Sequence, residues 1–181
     1  MYGVREVVAW AAGFGLSAQN AVDLYRSFGA NAVTILQDNP YLLCGEPLHL
    51  KFSQVDVIAN CLHFEMNDRL RVEAGLLYVT RHNAGNGHTC LPRAKLLEST
   101  AQFLRLEPER VEDGLEGMLA SDELRSRIFG GTEYIYLPDL LEAEEEIAAR
   151  LRELAGYPTE PPKTLDSDIR VLEFAQGVTY A

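Results

Sequence analysis

Positive charge is what this sequence has least of. Its 16 Lys and Arg residues face 27 Asp and Glu, for a formal charge of −11, and the lysines are Lys51, Lys95 and Lys163 alone. A protein whose main task is to grip phosphate backbones is normally basic, because its affinity comes largely from displaced counterions. Strong autonomous nucleic-acid binding is therefore disfavoured, which leaves room only for a local contact site inside a larger assembly. Cysteine is scarce too: Cys44, Cys61 and Cys90 share no CxxC spacing. That excludes a disulfide framework and a zinc cluster and suits a reducing cytoplasm. No apolar run approaches the roughly 20 residues that span a bilayer, and the start lacks a signal-peptide pattern. No membrane partner is expected. A phosphate-binding loop of the form G-x-x-x-x-G-K-[ST] is missing as well, since none of the lysines follows a glycine. These residues are not expected to hydrolyse ATP.

What remains is ordinary globular material, 181 residues of which 47% are hydrophobic and 24% charged. That is enough for a core in one large or two small domains. The expected fold is mainly α: a tandem helix-hairpin-helix-like helical domain over 1–66, then a winged-helix-like domain with a small β-hairpin over 67–137. A connecting helix and Pro-rich linker follow over 138–164, and 165–181 reads as the first helix of something further.

In the first segment, Val7, Val8 and Ala11 share a helical face before Gly13 and Gly15. Ser17 is a good N-cap for a helix that carries Ala21, Leu24, Tyr25 and Phe28 inward, and Asn39-Pro40 opens another turn. From 67 onward the order is helix, short extended piece at 88–91, two helices, and a hairpin around Gly130-Gly131. That is the order of a winged helix-turn-helix. After it, Asp139 and Glu142 resemble a capping box, and Leu140, Ile147, Leu151 and Leu154 form an apolar stripe. Three prolines within 157–164 mark the linker.

The segment Gly15-Leu16-Ser17-Ala18-Gln19-Asn20-Ala21 resembles a helix-hairpin-helix turn, normally Gly-hydrophobic-Gly, three variable residues, then Ala. Small residues let backbone N–H groups at a helix N-terminus face a phosphate oxygen. Further along, His49-Leu50-Lys51-Phe52-Ser53-Gln54-Val55-Asp56 falls where a second hairpin is due, but both glycines are replaced. Lys51 offers a phosphate a point charge there; a nest of backbone amides is not expected. On the wing, strand alternation puts Arg125, Arg127, Tyr134 and Tyr136 on one face, suited to a backbone phosphate or an unpaired base. The DNA-contact candidates are thus Gly15, Leu16, Ser17, Lys51, Arg125, Arg127, Tyr134 and Tyr136. The helix over 107–119 carries five carboxylates against Arg110, which speaks against base reading in a major groove. Cys61-x-His63, His82 and His88 have no ligand partners at metal spacing, and 142–146 reads as a solvated acidic face. No catalytic, cofactor-binding or metal residue is nominated.

An ordered set of short matches extends this. Phe28-Gly29, Asp38-Asn39-Pro40-Tyr41-Leu42-Leu43, then Phe52, Asp56 and Ile58-Ala59 resemble the N-terminal region of RecD-like helicases of the RecD/TraA family. So do Gly75 and Tyr78, Gly87-His88-Thr89, Leu91-Pro92, Tyr136-Leu137-Pro138 and Ala143-Glu144, spanning roughly 13–155. The resemblance implies a cytoplasmic, ATP-dependent, 5′-to-3′ DNA helicase as parent, with ATP and Mg used by a motor that begins after 165–181. In this chain it implies a non-catalytic accessory region that positions its own motor domain or guides DNA, weakly held, in recombination or repair. The alternative is an acidic protein–protein interaction module that binds a partner through the 107–116 helix.

Overall fold

The computed structural model describes residues 2–157, 164–177 and 179. Two units divide the chain, Met1–Leu141 and Glu142–Ala181.

The first unit opens with α1 (Tyr2–Gly13), α2 (Ala18–Phe28) and α3 (Ala32–Asp38), with a 3-10 turn over Gly29–Asn31. A second 3-10 turn, Pro40–Cys44, has its first amide satisfied by the Asn39 side chain, which accepts from the Tyr41 N–H at 3.1 Å. The segment α4 (Phe52–Cys61) completes the first group of helices. Apolar residues recurring every third or fourth position turn inward on each helix: Val7 and Ala11, Ala21 and Leu24, Val33 and Leu36, Val55 and Ile58 are all buried.

The long helix α5 (Arg69–Gly85) starts at Asp68, whose carboxylate accepts from the Leu70 N–H. It is followed by β1 (Cys90–Pro92), α6 (Arg93–Leu104), α7 (Pro108–Ala120), β2 (Arg125–Phe129) and β3 (Thr132–Tyr136). The strands form one antiparallel sheet in the order β1-β3-β2. Gly130 and Gly131 both take positive φ, as a two-residue turn between right-twisted strands demands. The order of elements is the one expected: a helix, a short strand, two helices and a hairpin. Two glycines allow the helices to touch. A Cβ at Gly114 on α7 would stand 2.5 Å from Val72 of α5, and one at Gly75 of α5 would stand 2.7 Å from Leu104 of α6.

The segments 1–66 and 67–137, expected as separate domains, share one core that runs from Val7 to Ile135. Its polar centre is the Arg71 side chain, only 5% exposed. Arg71 donates from Nε and Nη2 to the two Asp56 oxygens at 2.8 and 3.0 Å, and from Nη1 to the carbonyls of Met66 and Leu104. Tyr41 also donates to Asp56, at 2.8 Å. The network fastens α4 to α5 and to the end of α6.

The helix α8 (Pro138–Ala155) has the bounds expected for it, but Asp139 lies in its first turn instead of at the cap. Within the second unit the apolar stripe Ile147, Leu151 and Leu154 is exposed, as are Val171, Leu172 and Phe174 of α9 (Leu165–Gln176). The expected linker over 157–164 falls mostly on 158–163, outside the described residues. Among the described residues no helix is long and apolar enough to cross a membrane.

Candidate nucleic-acid interface

At the end of α1 the chain reverses through Phe14 and Gly15, with the Leu16 N–H donating to the Ala11 carbonyl at 2.9 Å. Gly15 takes φ 73, a left-handed value that glycine adopts without strain. Ser17 then caps α2. Its hydroxyl oxygen accepts from the Asn20 N–H at 3.1 Å, and the Asn20 side chain accepts from the Ser17 N–H at 2.9 Å. That leaves the first-turn amides of Ala18 and Gln19 with no carbonyl a turn behind them, pointing out of the helix end where its positive dipole lies. Ala21 is buried and lets the two helices cross closely.

The second turn repeats this at one constant offset, without the signature residues. His49 stands for Gly15 and takes φ 47; Leu50 stands for Leu16, Lys51 for Ser17, Gln54 for Asn20 and Val55 for Ala21. Leu50 donates back to the Leu43 carbonyl at 2.9 Å, closing a wider loop than the bond from Leu16 to Ala11 does. Lys51 is extended at the head of α4, φ −63 and ψ 140, beside φ −71 and ψ 161 for Ser17. Only half of a capping box forms: the Gln54 side chain accepts from the Lys51 N–H at 3.3 Å, while an ammonium has no lone pair to return. The outward amides here are those of Phe52 and Ser53. A turn therefore stands where the second hairpin is due, with His49 held in the left-handed region. The core behind it supplies the constraint, since Asp56 on the next turn of α4 is locked by Arg71 and Tyr41.

The two turns lie together. Gly15 and Leu16 line the same groove of about 470 Å³ as Leu50, Ser53, Gln54 and Val57. Residues 13–22 carry no charge and 47–55 carry only Lys51, so this surface is neutral to positive in a chain of charge −11.

Electrostatics keep the supporting network fixed. Burial alone would raise the Asp56 carboxyl, but hydrogen bonds from Arg71 and Tyr41 overcome it and hold the group below the usual carboxylate range. Burial and the same carboxylate raise the Tyr41 phenol, so it remains a donor. Burial pushes the Cys44 thiol up to about 11, which leaves it a poor nucleophile.

The wing candidates separate. Arg125 pairs with Tyr136 and Arg127 with Tyr134 in the register anticipated. Tyr136, however, is 2% exposed and leaves the contact set. The strand β3 is central, flanked by both β1 and β2, and the base of the wing is covered where its tip is not. Arg125 is clasped by Asp122 at 2.8 and 2.7 Å. Arg127 and Phe129 remain at the exposed end, with Tyr134 partly buried beside them. Phe129 was absent from the candidates, yet two-residue alternation from Arg127 places it on the same face.

The acidic α7 is also partly neutralised. Arg93 reaches Glu112 at 3.1 Å, Glu116, and Glu133 of β3 at 3.5 Å. Burial alone would lower the Arg93 pKa, but hydrogen bonds to Glu116 and Glu112 raise it. A nucleotide does not fit the lysines described. Lys51 follows a leucine at the head of α4, and Lys95 is paired with Glu98 at 3.0 Å within α6; neither stands after a glycine-rich loop.

Residues 1–90 match the family described as the ATP-dependent RecD2 DNA helicase HHH domain. The chain is 29% identical over 167 residues to the ATP-dependent RecD2 DNA helicase of Deinococcus radiodurans. That match covers 85% of this chain and 23% of the relative, so the chain spans about a quarter of that protein's length.

Proposed function

We propose that this chain, which is an N-terminal RecD-like region of a helicase, holds backbone phosphates of duplex DNA between its two hairpins and thereby aligns the DNA with a motor. The parent is read as a cytoplasmic, ATP-dependent 5′-to-3′ helicase of recombination or repair. ATP and Mg²⁺ are assigned to motor residues outside this chain, and no chemical step is assigned to its own residues. One observation carries the reading: two turns of unlike sequence each set a left-handed residue and an extended cap before a helix, line one groove, and aim first-turn amides outward from segments that hold no carboxylate. Amides at helix starts bind phosphate oxygens without reading sequence. The exposed stripes of α8 and α9 support a contact between the second unit and that motor. The interaction-module alternative has less free acid to work with, because Arg93 occupies Glu112 and Glu116.

The test is duplex binding by the full chain, followed by fluorescence anisotropy at about 50 mM salt. Ser17→Asp keeps a good N-cap but places a carboxylate where a phosphate would sit, and Lys51→Glu does the same at the second turn. The double variant is expected to lose about tenfold in affinity or more. Unchanged duplex affinity in that variant, with its fold intact, overturns the reading.

A further inference from the structure

The tip of the β2–β3 hairpin carries a surface that the phosphate-binding hairpins do not use. The pairs Arg127↔Tyr134 and Phe129↔Thr132 put Arg127, Phe129 and Tyr134 on one side of the ribbon. The Phe129 and Tyr134 rings lie 6.1 Å apart at an angle of 55°. Phe129 is 56% exposed and its neighbour Ile128 71%. Two properties indicate what covers this tip. Residues 124–132 contain Arg127 and Arg125, the latter clasped by Asp122, and no carboxylate, and Glu133 on the facing strand is held by Arg93. The exposed apolar area is also small, on the order of 200 Å² for two side chains. A stable protein interface needs about 800 Å² from each partner. One base laid on one ring needs far less, and base–aromatic stacking tolerates any sequence.

We propose that Phe129, backed by Tyr134 and flanked by Arg127, is a stacking site for an unpaired base of single-stranded nucleic acid, whose phosphate lies against Arg127. The wing then meets a strand that has left the duplex, while the hairpins of the first segment hold the duplex itself. The site is independent of those hairpins, and either can fail alone.

The experiment compares a fluorescein-labelled oligothymidylate with a blunt duplex, both titrated with the full chain by anisotropy. Phe129→Ala should weaken binding to the oligothymidylate about tenfold and change duplex affinity by less than about twofold. Phe129→Trp should bind as the unaltered chain does, and its added indole emission, above the background of Trp10, should be quenched by the oligothymidylate. Because residue 129 is exposed, both variants should melt with the unaltered chain. Three results would each overturn the proposal: no single-strand binding by the unaltered chain, equal losses on both DNAs in Phe129→Ala, or unquenched emission from Phe129→Trp.

Discussion

At the first hairpin Gly15 supplies the left-handed residue and Ser17 with Asn20 closes a complete capping box, all within a few residues. At the second, His49 is held at a positive φ, the box is half made, and the turn is braced from behind by Asp56, Arg71 and Tyr41. Local chemistry shapes one turn, and tertiary structure shapes the other. A loop can therefore lose the residues that announce it and keep its backbone, provided that a neighbouring network fixes the helix it feeds.

The comparison breaks first at the brace. Arg71→Ala leaves the Asp56 carboxylate without its charged partner, and Asp56→Asn leaves a buried guanidinium. Either should cost about 3–5 kcal/mol in denaturant unfolding. Amide exchange in Asp56→Asn should rise more at 49–55 than at 15–21; equal rises would mean that both turns rest on the core alike. The same network sets an acid limit. The folded Asp56 carboxyl titrates below its unfolded value of about 3.9, so its contribution is complete above that value and fades as pH falls through the folded one. Melting temperature between about pH 5 and pH 2 should fall less steeply in Asp56→Asn than in the unaltered chain.

Smaller effects sharpen the contrast. Gly15→Ala forces a Cβ into the left-handed region and should cost about 1–2 kcal/mol. Ser17→Ala removes a cap worth about 1 kcal/mol, whereas Lys51→Ala, which removes no cap bond, should leave the melting temperature unchanged and only flatten the salt dependence of DNA binding. His49→Gly should raise stability by up to about 1 kcal/mol through relief of its positive φ. A loss there would show that the imidazole itself stabilises the turn.

Much of this was legible in residue pattern. Ser17 as a cap, Asn39-Pro40 as a turn and the register of the wing all follow from short-range rules, because the interactions that enforce them lie within a few residues. The geometry of the second hairpin was not, since its enforcing contacts join Asp56 to residues fifteen positions away on either side. Burial of Tyr136 depends on β1 closing over β3, a pairing across the whole of α6 and α7 that no local pattern encodes. Phe129 is a different omission, for strand parity alone would have placed it beside Arg127. The stripe on α8 is legible as apolar, but periodicity does not say whether a face has a partner, and Ile147, Leu151 and Leu154 are exposed.

The most direct measurement is an amide-resolved NMR titration of the full chain with a short duplex. The expected result is the largest shifts at the N–H groups of Ala18, Gln19, Phe52 and Ser53, both turns responding together and both responses fading as salt is raised. Shifts confined to α7, or a response from the glycine-containing turn alone, would contradict the claim that two unlike sequences form one phosphate-binding surface.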